Sequence, residues 1–205
     1  MDSQEREKRQ QELAELKQRV AQLEQELADS PPHWEATEFY TGYYATAGFV
    51  LGMFAAMTSL LFNVIGAAGM GEHPLKLIQV YLTFPLGETA LTLDGGMTLI
   101  FGCCLYIATG MLFGAIFHTM LAWFAREAST STRMVLATFM ALGMWIVHFY
   151  GVLNWLQPML FGGDWIVKQI PWWVAMLTHL VYGWTMAVMF PFGQYVPYRR
   201  QTEQA

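Results

Sequence analysis

Charge is scarce in this chain, and scarcest where most of the sequence lies. Asp, Glu, Lys and Arg make up 13% of the 205 residues, against about 25% in an ordinary soluble domain. Of the 27 such residues, 13 fall in the first 29 positions. From Phe39 to Tyr198 only nine remain: Glu72, Lys76, Glu88, Asp94, Arg126, Glu127, Arg133, Asp164 and Lys168. So few charges exclude a basic face for nucleic acid, an ordinary soluble enzyme and a disordered chain. Cysteine is nearly absent too. The adjacent Cys103 and Cys104 form no C-x-x-C motif and no disulfide framework, and read as small packing residues. A cleavable signal peptide is not expected, because the N-terminus is highly charged and the first apolar run starts about 40 residues in.

What the chain does have is four long uncharged windows, 39–71, 95–125, 134–163 and 169–198. Each exceeds the roughly 20 residues that a spanning helix needs. Spans are expected at 43–68, 96–124, 134–157 and 171–192. The fold class that follows is an all-α membrane protein: a four-helix transmembrane bundle with an N-terminal cytoplasmic coiled-coil helix and an outer interfacial helix. The expected organisation is an arm over 1–30, a linker over 31–42, the membrane domain over 43–198 and a tail over 199–205. With the N-terminus inside, Arg126, Arg133, Arg199, Arg200 and the basic residues of the arm are cytoplasmic, while Lys76 and Lys168 are outside. That split follows the positive-inside rule and places both termini in the cytoplasm.

Residues 2–29 contain no Gly or Pro and are dominated by good helix formers. Asp2 and Ser3 can cap the helix, and Ser30-Pro31-Pro32 stops it. Leu13, Leu16, Val20, Leu23 and Leu27 form a heptad seam, with Leu13, Val20 and Leu27 at a and Leu16 and Leu23 at d. In a parallel homodimer Glu12 at g faces Lys17 at e, and Arg19 at g faces Glu24 at e. Both pairs attract. The alternatives are a helix of another protein as partner, or a single solvated helix.

Between the first two spans, Leu75, Leu77, Ile78, Val80, Tyr81, Leu82 and Phe84 follow Pro74, which suits a first helical turn, and precede Pro85 and Gly87. The run is too short to span and reads as a helix lying on the outer leaflet, or as a re-entrant or partner-docking segment. Glu88, Asp94 and Asp164 could bind a cation or admit a proton, or are solvated loop charges. Trp165, Trp172 and Trp173 read as interfacial anchors.

No Asp, Glu, Lys or Arg falls within an expected span, which argues against an ion-coupled transporter. The intramembrane polar groups are His118, His148 and His179, with Asn63 and Asn154 nearer the outer boundary. His148 and His179 are expected at similar depth on antiparallel neighbours. Facing histidines are what a bis-imidazole haem b would use, with Gly143, Gly151 and Gly183 making room for the porphyrin. A metal is less well served, since no carboxylate or further histidine at that depth completes a set. In the structural alternative each histidine bonds a neighbouring helix or a tyrosine, Tyr150 and Tyr182 being closest in sequence. Small residues recur at four-residue spacing, Gly48, Gly52 and Ala56, then Gly110 and Gly114, for packing within the bundle or between subunits.

The stretch Ala47-Gly48-Phe49-Val50-Leu51-Gly52, followed by Ala55, Ala56 and Met57, resembles the opening of the YagU-like inner-membrane proteins. The run His179-Leu180-Val181-Tyr182-Gly183 resembles a stretch near the end of some of those chains. The resemblance implies a four-helix fold in a bacterial inner membrane, and no reaction or residue role. The function expected is an accessory or scaffolding subunit of a membrane complex, a homo-oligomer or partner-bound through the arm, with no catalytic residue, no cofactor and no nucleic acid. The alternative is a haem b or quinone redox subunit using His148 and His179.

Overall fold

The computed structural model describes residues 3–29 and 39–196. The linker expected over 31–42, as far as residue 38, and the tail with Arg199 and Arg200 lie outside the described residues. All regular structure among the described residues is helical, and the chain divides into two units, Met1–Glu38 and Phe39–Ala205.

The first unit holds one helix, α1 (Ser3–Asp29), about 40 Å long at 1.5 Å per residue. Arg9 pairs with Glu5 one turn away at 3.0 Å, a local support for an exposed helix. Leu13, Leu16, Val20 and Leu23 are 43–63% exposed. Leu27 lies on the same helix, its side chain outside the described residues.

The second unit holds four helices long and apolar enough to cross a membrane. They are α2 (Thr41–Gly69), α4 (Met97–Ala125), a third that runs from Thr130 to Phe161, and α8 (Trp172–Met189) with a 3-10 turn, Phe190–Gly193. The third comprises α5 (Thr130–Ile146), a π-helical segment Val147–Leu153 and α6 (Asn154–Phe161). The chain is an integral membrane protein. Leu61, Ile65, Leu112, Ile116, Phe139 and Val188 are exposed on these helices, an apolar surface that suits lipid and would be costly in water.

Glycines close the ends. Gly71, Gly96 and Gly162 have φ of 75°, 88° and 75°, a region that L side chains avoid, and Gly162 takes the left-handed position that ends α6. The third span departs most from its expected bounds, starting at 130 rather than 134. The cause is a cap: Ser129 Oγ accepts the Thr132 backbone N–H at 3.2 Å. Arg133 therefore lies inside the helix and not before it. Its guanidinium folds back to donate to Ala125 O (3.3 Å) and Ala128 O (2.7 Å), and lies 4.6 Å from the centroid of the Phe190 ring. Arg133→Met keeps the apolar stem but removes these contacts. It is expected to cost about 2 kcal/mol, read as a lowered thermal midpoint in detergent.

The small residues pack within this bundle. A Cβ on Gly52 would lie 2.5 Å from Gly110 O and 2.8 Å from Gly114 Cα, while the Ala56 methyl fills the space over Gly110. Lipid is as apolar as leucine, so close backbone approach of this kind supplies the van der Waals energy that holds spans together. Gly183 does the same for α8 against α5, where a Cβ would lie 2.7 Å from Ala141 Cβ and 3.1 Å from Ala137 O. Asn63 ties α2 to α8, its amide donating to Thr178 Oγ1 at 2.9 Å.

One end of the bundle carries the short elements α3 (Lys76–Leu86), a 3-10 helix Gly87–Thr92 and α7 (Trp165–Gln169). Pro74 stands outside α3, in a turn that the Lys76 N–H closes on His73 O at 2.8 Å, so the expected first-turn role is corrected. Ile78 and Leu82 are buried against Gly102 of α4. Gln157 of α6, fully buried, joins the short elements: its amide donates to Thr83 Oγ1 (2.9 Å) and its carbonyl accepts the Ile166 N–H (3.0 Å).

Candidate functional site: the histidine pair and its cavity

His148 and His179 meet. Their ring centroids are 5.6 Å apart, and His179 Nε2 lies 3.4 Å from His148 Nδ1. His179 Nδ1 is 2.7 Å from Ala175 O on its own helix. A carbonyl only accepts, so Nδ1 of a neutral His179 carries the proton and Nε2 is bare. That bare nitrogen accepts from His148 Nδ1–H, which leaves His148 Nε2 as a lone pair with no partner among the described residues. The pair is a directed chain, with its acceptor end at His148.

His148 sits in the π segment, a form that proteins use sparingly and often at functional sites. Gly151 lies within that segment and Pro158 follows it in α6. Together they weaken α-helical bonding through this stretch, and the Trp155 indole N–H donates to Gly151 O. The Phe113 ring, 4.1 Å from the His148 ring by centroids, holds the imidazole from the α4 side.

Beside the pair is a cavity of about 350 Å³, walled chiefly by α3, α4, the π segment, α7 and α8, with Ala56 of α2 and Met144 of α5, within the range of small-molecule pockets. Its polar wall groups are already committed. Thr109 Oγ1 donates to Leu105 O, so the Tyr81 hydroxyl donates to Thr109 (2.6 Å). Ser59 Oγ donates to Ala56 O, so the Tyr106 hydroxyl donates to Ser59 (2.9 Å). Tyr182 donates to Gly110 O at 2.7 Å, and Thr178 to Val174 O at 2.8 Å. The tyrosine oxygens and His148 Nε2 retain lone pairs, whereas every hydroxyl and imidazole proton of the wall is used.

Several expectations change here. The histidines bond each other and a helix carbonyl, while Tyr182 bonds α4 and Tyr150 stacks edge-on against Trp145; neither tyrosine serves them. Gly183, one turn from His179, is filled by Ala141 and makes no room for a porphyrin. A bis-imidazole iron needs two bonds of about 2 Å with a macrocycle between them, and nitrogens in direct hydrogen-bond contact do not fit it. His118 is elsewhere, fully buried between Tyr44 and Phe190, with Nε2 donating to Gly193 O at 3.2 Å. It clasps the end of the fourth span to α4, and its Nδ1 has no partner. Asp164 pairs with Lys168 at 3.0 Å, and among the described residues no three His, Cys, Asp or Glu side chains group as a metal set. Sequence reasoning missed Gln157 and the π segment; Gly151 and Pro158 were the available signal for the latter. Comparison with protein-family models, curated proteins and solved structures finds no match for this chain.

Proposed function

We propose that this chain is a self-associating accessory or scaffolding subunit of a membrane complex, joined to a second copy through parallel pairing of α1. The observation that carries this reading is the heptad seam left uncovered on an otherwise solvated helix: Leu13, Leu16, Val20 and Leu23 are all exposed. Burying them against a partner recovers apolar area that water now covers. Charge selects the occupant, because Glu12 with Lys17 and Arg19 with Glu24 attract across a parallel homodimer. So short a coil is marginal alone, and anchoring in one bilayer raises the effective concentration of the arms. Both termini in the cytoplasm, α3 as an outer interfacial helix and kinship with the YagU-like inner-membrane proteins belong to the same proposal. Arg126, in the connection between the second and third spans, and Arg133, in the first turn of the third, support that orientation. The packing of Gly183 against Ala141 weighs against the haem form of the redox alternative.

Light scattering on size-exclusion peaks in mild detergent separates protein mass from micelle and tests the proposal. The full chain is expected at twice its monomer mass or more, and a chain lacking residues 2–29 at a single-chain mass with membrane insertion intact. Leu16→Lys with Leu23→Lys, which keeps the helix, is expected to act like the truncation. A full-length monomer, or a truncated protein lighter only by the missing arms, overturns it.

A further inference from the structure

We infer that the cavity beside His148 binds a lipid-soluble hydroquinone or phenol, an aromatic ring that brings its own hydroxyl proton, and discriminates against the oxidised quinone. The inference rests on the membrane bundle alone and is independent of the arm.

Three observations converge on it. The first is the donor and acceptor balance of the wall. His179 gives its proton to Ala175 O, His148 gives its own to His179, and the hydroxyls of Tyr81, Tyr106 and Tyr182 give theirs to Thr109, Ser59 and Gly110. What these lining residues have left to offer is a set of acceptors, of which the imidazole lone pair at His148 Nε2 is the most basic. A ligand that only accepts, such as a quinone carbonyl, would be buried there without a donor, and an unpaired polar group in an apolar site is penalised. A hydroxyl meets the lone pair directly. The second is the shape and lining of the space. About 350 Å³ suits a substituted single ring, and Tyr81, Tyr106, Phe113, Phe149 and Tyr182 present aromatic surface to it, which favours offset or edge contacts with another ring. The third is position. Leu112 and Ile116 of α4, and Val147 and Tyr150 of the π segment, are exposed alongside the cavity residues Phe113 and His148. The cavity thus lies one side chain from the lipid-facing surface, where an apolar tail remains in the bilayer. The π segment gives His148 its place in that wall, a local irregularity of the kind associated with ligand sites.

The experiment uses the full chain in nanodiscs and two forms of one probe, a decyl-substituted benzohydroquinone and its quinone, titrated anaerobically against intrinsic tryptophan fluorescence. Saturable binding of the hydroquinone is expected, about tenfold tighter than that of the quinone. His148→Asn keeps an amide N–H near the place of Nδ1, for His179, and deletes the Nε2 acceptor. It is expected to remove the preference while eluting as a monodisperse peak with the wild-type thermal midpoint. Val152→Trp, which fills the cavity from the π segment, is expected to abolish binding of both forms. Equal affinity for the two forms, a preference that survives His148→Asn, or no saturable binding by the wild type overturns the inference. So does equally tight binding of 1-dodecanol, because the aromatic wall would then play no part in recognition.

Discussion

Gly114→Val is expected to lower the thermal midpoint of the detergent-solubilised protein by about 10 °C or more, and to broaden its size-exclusion peak. A Cβ at this position would stand 2.5 Å from Gly52 Cα and 2.9 Å from Gly52 N. Those are backbone atoms of the facing helix, so no rotamer change can relieve them. Overpacking against side chains that yield costs about 1–3 kcal/mol. Here α2 and α4 must separate along the seam, and the cost should exceed about 3 kcal/mol, which for a chain of this size corresponds to the stated shift. Gly66→Ala is the matched control, since nothing lies within 4 Å of the added methyl; alanine's better helix propensity makes it neutral to slightly stabilising. A wild-type midpoint for Gly114→Val would mean that the two helices are not in backbone contact.

Gln157→Leu is the second large effect. The substitution keeps the volume close and removes both of the bonds that the amide makes. Thr83 still donates to Val80 O at 2.6 Å, but the Ile166 N–H, on a residue only 5% exposed, loses its acceptor. Leaving such a donor buried costs about 1–3 kcal/mol. The loss is local, so hydrogen exchange should accelerate at Ile166 through Gln169 while amides on the α2–α4 seam keep wild-type protection. Unchanged exchange in α7 would show that Gln157 does not anchor it.

These two sites mark how far the sequence could be read. The four windows without charge located the spans to within a few residues, because lipid tolerates so little else. The spacing of Gly48, Gly52, Gly110 and Gly114 named the residues of the seam before their partners were known. Equal depth for His148 and His179 followed from counting helical rise, and they do meet. Sequence is silent wherever the answer depends on rotation of one helix about its axis relative to another. Proximity in sequence suggested Tyr182 as a partner for His179, yet its hydroxyl reaches Gly110 across the bundle. Gly183 suggested open space, and that space is instead taken by the Ala141 methyl. Charge was also a poor guide to helix ends, since Ser129 starts the third span and Arg133 bends back over it. Gln157 drew no notice, as one glutamine near the end of an apolar run looks like a boundary residue until two other elements converge on it.

The α2–α4 seam also decides where this bundle can breathe. With carbonyls of each helix standing where a Cβ on the other's glycines would go, the pair should have little freedom to slide or roll and should respond as one stiff plank. Swelling of the cavity to admit a guest should be taken up away from that seam, foremost in the π segment, whose backbone bonds are already irregular. Occupancy should therefore be written in the amide exchange of residues 147–153 and leave 48–56 and 110–118 silent, so that an entering molecule is sensed away from the seam.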